Sequence, residues 1–265
     1  MRKKILTALV CFALSGVSFA VAFGMFFNAS QAGTAFAQSG ISPLFKNVTG
    51  LIREGMEPMR GCTVDDFAGD LKSISLSTIT AGVRLETITD TAPVLNSDTG
   101  VNCQRTGDKL EIRVPPFSLR KRHHAVNLRL PPTDNDDLTL FLPLGKRYDL
   151  EVKTISGDIR AEDIAAEKLA VESKSGDISV KGLTGDLTAS AVSGDMNLEL
   201  KELSSFAAAV AVSGDIRLRL PGAEPYNITT ETVSGKLSVN ASEEKGAQKQ
   251  VQVKTVSGDI AIEAR

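Results

Sequence analysis

Tryptophan is absent, tyrosine occurs only twice, and aromatic residues make up 5% of the 265 positions. Sugar-processing clefts lean on exposed rings, so a polysaccharide-acting enzyme has little material here. Histidine is confined to the neighbours His123 and His124. A zinc centre would need further ligands, and nothing in the pattern sets a nucleophile beside either ring for Ser-His-Asp chemistry. No Walker-type or other glycine-rich phosphate loop is present. The net charge is -2, and with Arg2, Lys3 and Lys4 set aside, 27 basic residues face 32 acidic ones. That balance gives no general attraction to nucleic acid.

The first residues carry a targeting pattern. Met1-Arg2-Lys3-Lys4 is a positive start, and the 23 residues from Ile5 to Phe27 are apolar apart from scattered Thr, Ser and Gly. Ala35-Phe36-Ala37 then fits a small-residue cleavage site. Such a run exceeds an ordinary signal core and is long enough to span a bilayer. Residues 1–37 are therefore expected to be a cleaved signal peptide or a retained anchor helix, placing the rest outside the cytoplasm. Residues 38–66 read as a linker. Cys11 lies inside the apolar run, leaving Cys62 and Cys103 in an oxidising setting, where two cysteines are most simply a disulfide.

What is abundant is Val, Ile, Leu, Thr, Ser and Gly in short alternating runs. Strands are expected over Leu71–Ile79, Val83–Ile88, Leu110–Val114, Val126–Leu130 and Leu138–Leu142, the last three each stopped by proline. Thr91–Asp108 reads as turn-rich. From Leu150 onward one phrase keeps returning: Ser156-Gly157-Asp158, Ser175-Gly176-Asp177, Ser193-Gly194-Asp195, Ser213-Gly214-Asp215, Ser234-Gly235-Lys236 and Ser257-Gly258-Asp259. The intervals between the serines are 19, 18, 20, 21 and 23 residues. A near-constant period is the mark of a repeat architecture. Alternation turns Leu150/Val152, Leu169/Val171, Leu187/Ala189, Ala207/Ala209, Ile228/Thr230 and Val251/Val253 inward. Glu151, Lys153, Glu172, Arg217, Arg219, Gln252 and Lys254 fall on the outside. One such coil cannot bury its apolar side alone, so coils must stack. The pattern predicts an all-β chain: a narrow two-sided β-solenoid of coils of about 18–23 residues at 149–265, preceded by a β-rich cap at 67–148.

The repeated phrase has a backbone reading. Gly157, Gly176, Gly194, Gly214, Gly235 and Gly258 supply the bend, and Ser and Asp can accept from nearby amides. Stacking puts Asp158, Asp177, Asp195, Asp215 and Asp259 in one file broken by Lys236. Like charges ~4.8 Å apart repel by about 0.9 kcal/mol even in water. Amide hydrogen bonds, Lys236 or bound calcium could offset that. The Gly-Gly-x-Gly-x-Asp order of calcium-binding β-rolls is absent, so the aspartates are read as corner residues, with a metal role as the weaker alternative and no other cofactor expected. Arg120, Lys121, Arg122, His123 and His124 form a basic loop between strands. It is either a solvated hairpin or a contact for anionic envelope polymer or lipid head groups.

Leu140-Phe141-Leu142-Pro143-Leu144-Gly145 leading into Leu150-Glu151-Val152-Lys153-Thr154-Ile155-Ser156-Gly157-Asp158 resembles a bacterial adhesin-like family, a domain of unknown function built from Ser-Gly-Asp β-solenoid repeats. The closing Lys254-Thr255-Val256-Ser257-Gly258-Asp259-Ile260 is equally similar, and the resemblance covers roughly Phe67–Arg265. It implies an envelope location and a non-enzymatic binding or structural role, and it brings no catalytic residues. A second expectation is a sensor or scaffold that offers the edge of the last coil, Val251–Arg265, to a protein partner.

Overall fold

The computed structural model describes residues 60–97, 100–114, 138–222 and 224–265. Several expectations lie outside the described residues: the signal or anchor segment, most of the linker, the basic loop Arg120–His124 and the strand Val126–Leu130. Among the described residues no helix is long and apolar enough to cross a membrane.

The chain enters through β1 (Arg60–Gly61) and one helical turn, α1 (Val64–Phe67). Six strands follow: β2 (Ser73–Ser77), β3 (Val83–Ile88), β4 (Val94–Asn96), β5 (Asn102–Thr106), β6 (Lys109–Arg113) and β7 (Leu138–Pro143). The repeat region then supplies β8 (Asp149–Thr154), β9 (Ile159–Glu162), β10 (Ala165–Ser175), β11 (Ile178–Ser193), β12 (Met196–Glu202) and β13 (Phe206–Ser213). It ends with β14 (Ile216–Leu220), β15 (Asn227–Ser234), β16 (Leu237–Asn240), β17 (Gln250–Ser257) and β18 (Ile260–Ala264).

Each coil has one strand before its Ser-Gly corner and one after, and each strand pairs in parallel with its equivalents in neighbouring coils. Before the corner, Leu150, Leu169, Leu187, Ala207, Val251 and Ile228 stand in one register row. After it, Ile159, Ile178, Met196, Ile216, Ile260 and Leu237 form the matching row. The residues of both rows are buried, apart from Leu237 in the outermost coil. A one-residue slip would turn every one of these side chains outward, which is why alternation alone fixes the register.

The stack also runs further back than the Ser-Gly-Asp phrase. β2 and β3 form a coil whose Ile74 and Val83 register on Leu150 and Ile159, and β6 and β7 form another on top of it. The stretch expected as a β-rich cap is thus largely two more coils of the same solenoid. The closing strands are antiparallel: β4 on β7, β5 on β6 and β1 on β5. Cys62 and Cys103 lie here with their sulfurs 2.00 Å apart, joining the chain just after β1 to β5. The strands β4 and β5 sit in the segment read as turn-rich, since β4 has only three residues and β5, Asn-Cys-Gln-Arg-Thr, has a single apolar side chain and so shows no alternation.

The order of the last two coils is exchanged. β17 pairs with β13 on one side and β15 on the other, and β18 lies likewise between β14 and β16. The final coil is therefore an interior one, and the expectation that Val251–Arg265 presents an open edge is corrected. The edge belongs to Asn227–Asn240. The other end shows the same exchange, with the β2–β3 coil held between the β6–β7 and β8–β9 coils.

One outward position also departs from expectation. Glu172 is buried rather than solvated, 2.9 Å from the equally buried Lys174. Both tyrosines are interior as well: Tyr148 and Tyr226 are fully covered just before β8 and β15, and Tyr226 Oη donates to Pro221 O at 2.6 Å.

Candidate functional site: the acidic corner file

The strongest candidate surface is the line of Ser-Gly-Asp corners. The glycines are required first by proximity. A Cβ added at Gly176, Gly194, Gly214, Gly258 or Gly235 would overlap the carbonyl oxygen of the corner glycine one coil below, and at Gly157 that of Ala81. Positive φ applies at Gly194, Gly214, Gly235 and Gly258 but not at Gly157 or Gly176. The expectation that glycine is there for the bend is therefore half of the reason. Coil-to-coil contact of main chain on main chain is what all six corners share.

The aspartates follow the same logic. Asp177 N–H donates to Asp158 Oδ1 at 3.1 Å, Asp195 N–H to Asp177 Oδ1 at 2.9 Å, and Asp215 N–H to Asp195 Oδ1 at 2.9 Å. The file continues across the exchanged coils, with Asp259 N–H donating to Asp215 Oδ1 at 2.8 Å and Lys236 N–H to Asp259 Oδ1 at 2.7 Å. Each carboxylate thus accepts from the next coil, and from Asp177 onward each amide donates to the previous one. A charge-assisted bond of this kind is stronger than a neutral one and outweighs a repulsion of about 0.9 kcal/mol between neighbours. Of the three ways of offsetting the file, amide bonding acts at every coil from Asp158 to Asp259, and Lys236 adds its charge at the end. Lys236 closes it: no described coil lies beyond, so no amide needs a carboxylate there, and a cation beside Asp259 is favourable.

Outside the corners the file borders a shallow groove of about 230 Å³, lined by Asp158, Asp177, Asp195 and Asp215 and by Arg160, Ser179, Asn197 and Arg217 from the strands after the corner. Arg160 Nη2 lies 3.0 Å from Asp158 Oδ2. The groove is mixed in sign over a partly apolar floor of Ile159, Ile178 and Met196, able to accept and donate hydrogen bonds along a line of coils. Calcium takes six to eight oxygens, and here one oxygen of each carboxylate is committed to an amide. Among the described residues no group of three or more His, Cys, Asp or Glu is placed to hold a metal. Alternation puts Arg217 on the outside but misses Arg160 and the groove, though the place of both arginines two residues after the corner aspartate is visible in Asp158-Ile159-Arg160 and Asp215-Ile216-Arg217.

A second acid holds the opposite corner. Asp186 Oδ1 accepts from Ser205 N–H at 2.7 Å and Phe206 N–H at 2.9 Å, and Oδ2 from the Ser205 hydroxyl at 2.8 Å. Burial pushes this carboxyl up, but the Phe206 and Ser205 donors and nearby Lys168 outweigh it and hold it below its ordinary value. Gly185 beside it again packs against a carbonyl, that of Ala166. The Thr184-Gly185-Asp186 triplet, which spoiled the repeat count, is the same stacking device on the other side of the coil.

The fold and the groove together define a class: an all-β parallel solenoid whose repeated acid serves the stacking of its coils. Residues 146–263 match the model of a family described as Toastrack DUF4097. The chain is also similar to two solved structures. One is a putative cell adhesion protein from Clostridium sporogenes, at 11% identity and a TM-score of 0.43, over 78% of this chain and 98% of that one. The other is a putative adhesin from Bacteroides fragilis, at 12% identity and a TM-score of 0.37, over 73% and 94%. At these scores neither likeness bears on what this chain does. No curated protein matches the sequence.

Proposed function

We propose that this is an exported cell-envelope protein acting as a non-enzymatic, adhesin-like binding or structural module. The observation that carries the reading is the use of the repeated acid. Asp158, Asp177, Asp195, Asp215 and Asp259 each accept an amide of the next coil, so the most repeated polar side chain of the protein is invested in a stiff stack. Such a stack displays long outer surfaces at fixed spacing, the property a docking or spacer element needs. The positive start, the apolar run Ile5–Phe27 and the Cys62–Cys103 pair favour export. The N-terminal segment would tether the module if it is retained, and the basic loop Arg120–His124 would meet anionic envelope polymer or lipid head groups.

The test is fractionation of cells producing the full chain, followed by recovery of envelope components on the purified protein with and without calcium. Recovery from envelope fractions that is insensitive to calcium is expected. A cytoplasmic location overturns the reading, and calcium-dependent recovery lost in Asp195→Asn restores the metal role.

A further inference from the structure

The two ends of the solenoid are not alike. One is closed by the antiparallel strands β1, β4 and β5. At the other, no described strand lies on the outer side of β15 or β16. The segment 241–249 covers only the approach to β15, where Tyr226 N–H donates to Ser242 O and Glu244 N–H to Tyr226 O, both at 2.9 Å. Beyond that point no described strand covers the coil. Among the described residues, Val233, Leu237 and Val239 are 56%, 49% and 39% exposed, and Leu237 and Val239 stand in rows that are buried in the coils below. Native edges are usually blunted by proline, bulges or several charges. Asn227–Asn240 contains no proline and two charged residues, Glu231 and Lys236, and Glu231 is drawn back to Lys254 at 3.4 Å.

We propose that Asn227–Asn240 is a self-association edge through which two copies of this chain join end to end. The geometry favours a copy over a foreign peptide. The open coil offers two strand edges at one level, one on each side of the solenoid, running in opposite directions. A single extended peptide can pair with one and leaves the apolar row between them uncovered. A second terminal coil, turned by a two-fold axis across the solenoid, brings two strands at the same separation, and every new pair is antiparallel. The contact is isologous, and with the opposite end closed it stops at two and builds no filament. Eight residues of β15 span about 26 Å, and two sheets about 10 Å apart with their side chains are about 20 Å deep, so the contact buries about 1,000 Å² in all, the lower end of a specific interface. This goes beyond the binding role above: a monomer would still present its outer surfaces.

Sedimentation of the full chain in mild detergent tests it. A reversible monomer–dimer equilibrium with a midpoint of about 10–100 μM is expected. The register turns the Ser238 N–H inward to β18 and leaves that of Val239 on the open side. Val239→Pro, which removes this edge donor, and Val239→Lys, at an already exposed position, should each weaken association at least about tenfold with the urea midpoint nearly unchanged. A chain that stays monomeric at several hundred μM overturns the proposal, as does a dimer indifferent to both substitutions, since association then lies elsewhere. Pairing of the edge with a foreign strand while the chain itself stays monomeric overturns it too.

Discussion

At Asp195 two requirements meet: its Oδ1 must accept the Asp215 amide, and its own amide must find Asp177. Asp195→Ala removes one acceptor and is expected to cost about 1–2 kcal/mol in urea unfolding. Asp195→Asn keeps an acceptor of the same shape and relieves repulsion with its neighbours, so its stability should stay within about 0.5 kcal/mol of the parent. Loss of equal size in both variants would mean that the charge rather than the acceptor matters. Asp186 makes a separate prediction about pH. Its carboxyl is held below the ordinary range by Ser205 and Phe206, so the folded state binds its proton less readily than the unfolded one. The stabilisation is complete above the unfolded value of about 4 and disappears as pH falls through the lowered folded value. Asp186→Ala should therefore lose about 1–2 kcal/mol at pH 7 and show a flatter acid limb in stability measured from pH 2 to pH 6. A parent-like acid limb in the variant would assign the acid sensitivity to other groups.

Among the strands, β10 carries the least expected packing. Lys174 is driven toward its neutral form by burial, while Glu172 holds its charge in place. Lys174→Met strands the Glu172 carboxylate and should cost about 2–4 kcal/mol by chemical denaturation, whereas Glu172→Leu with Lys174→Met should recover most of it. A double variant no more stable than the single one would show that the pair is worth its desolvation. Strand-level structure was largely readable in the sequence. The rows built on Leu150, Val152 and Ile159 follow from period-two alternation, because only that register buries them together. The strands β4 and β5 were not readable, being too short and polar for a pattern and fixed by what they close. Nor was the exchange of the last two coils. Its clue lay in Lys236: a corner without a carboxylate cannot receive the amide of a further coil, so the coil holding it belongs outermost. Thr230 and Thr232, where interior coils carry Val, Ala, Ser or Thr, agree with a position at the rim. Of the candidate site, the acidic file was legible and the groove-lining arginines were not, since which outward residues border a groove depends on neighbours about 20 residues away.

For the whole molecule, the Cys62–Cys103 bridge closes a loop of 41 residues in sequence around the antiparallel end. In the chain-entropy model such closure is worth ~4 kcal/mol. Cys62→Ser with Cys103→Ser is expected to lower the unfolding midpoint and to release protease sites near β1 and β5 before those near β12. Simultaneous digestion of both regions would show that the stack unfolds as one unit and has no separately weakened end. The exchanged coils have a consequence for how the protein is made. A ribosome delivers Asn227–Asn240 before Gln250–Ala264, yet the later segment lies between the earlier one and the rest of the stack. Were the earlier strands to dock on β13 and β14 as they emerge, their Ser-Gly corner would fit there. Their Lys236 nonetheless leaves the next amide without an acceptor. Synthesis order and stacking order thus disagree, and a coil docked early would have to give way to the later one. Lys236 in place of aspartate makes that provisional docking the weaker one, a built-in bias toward the final order.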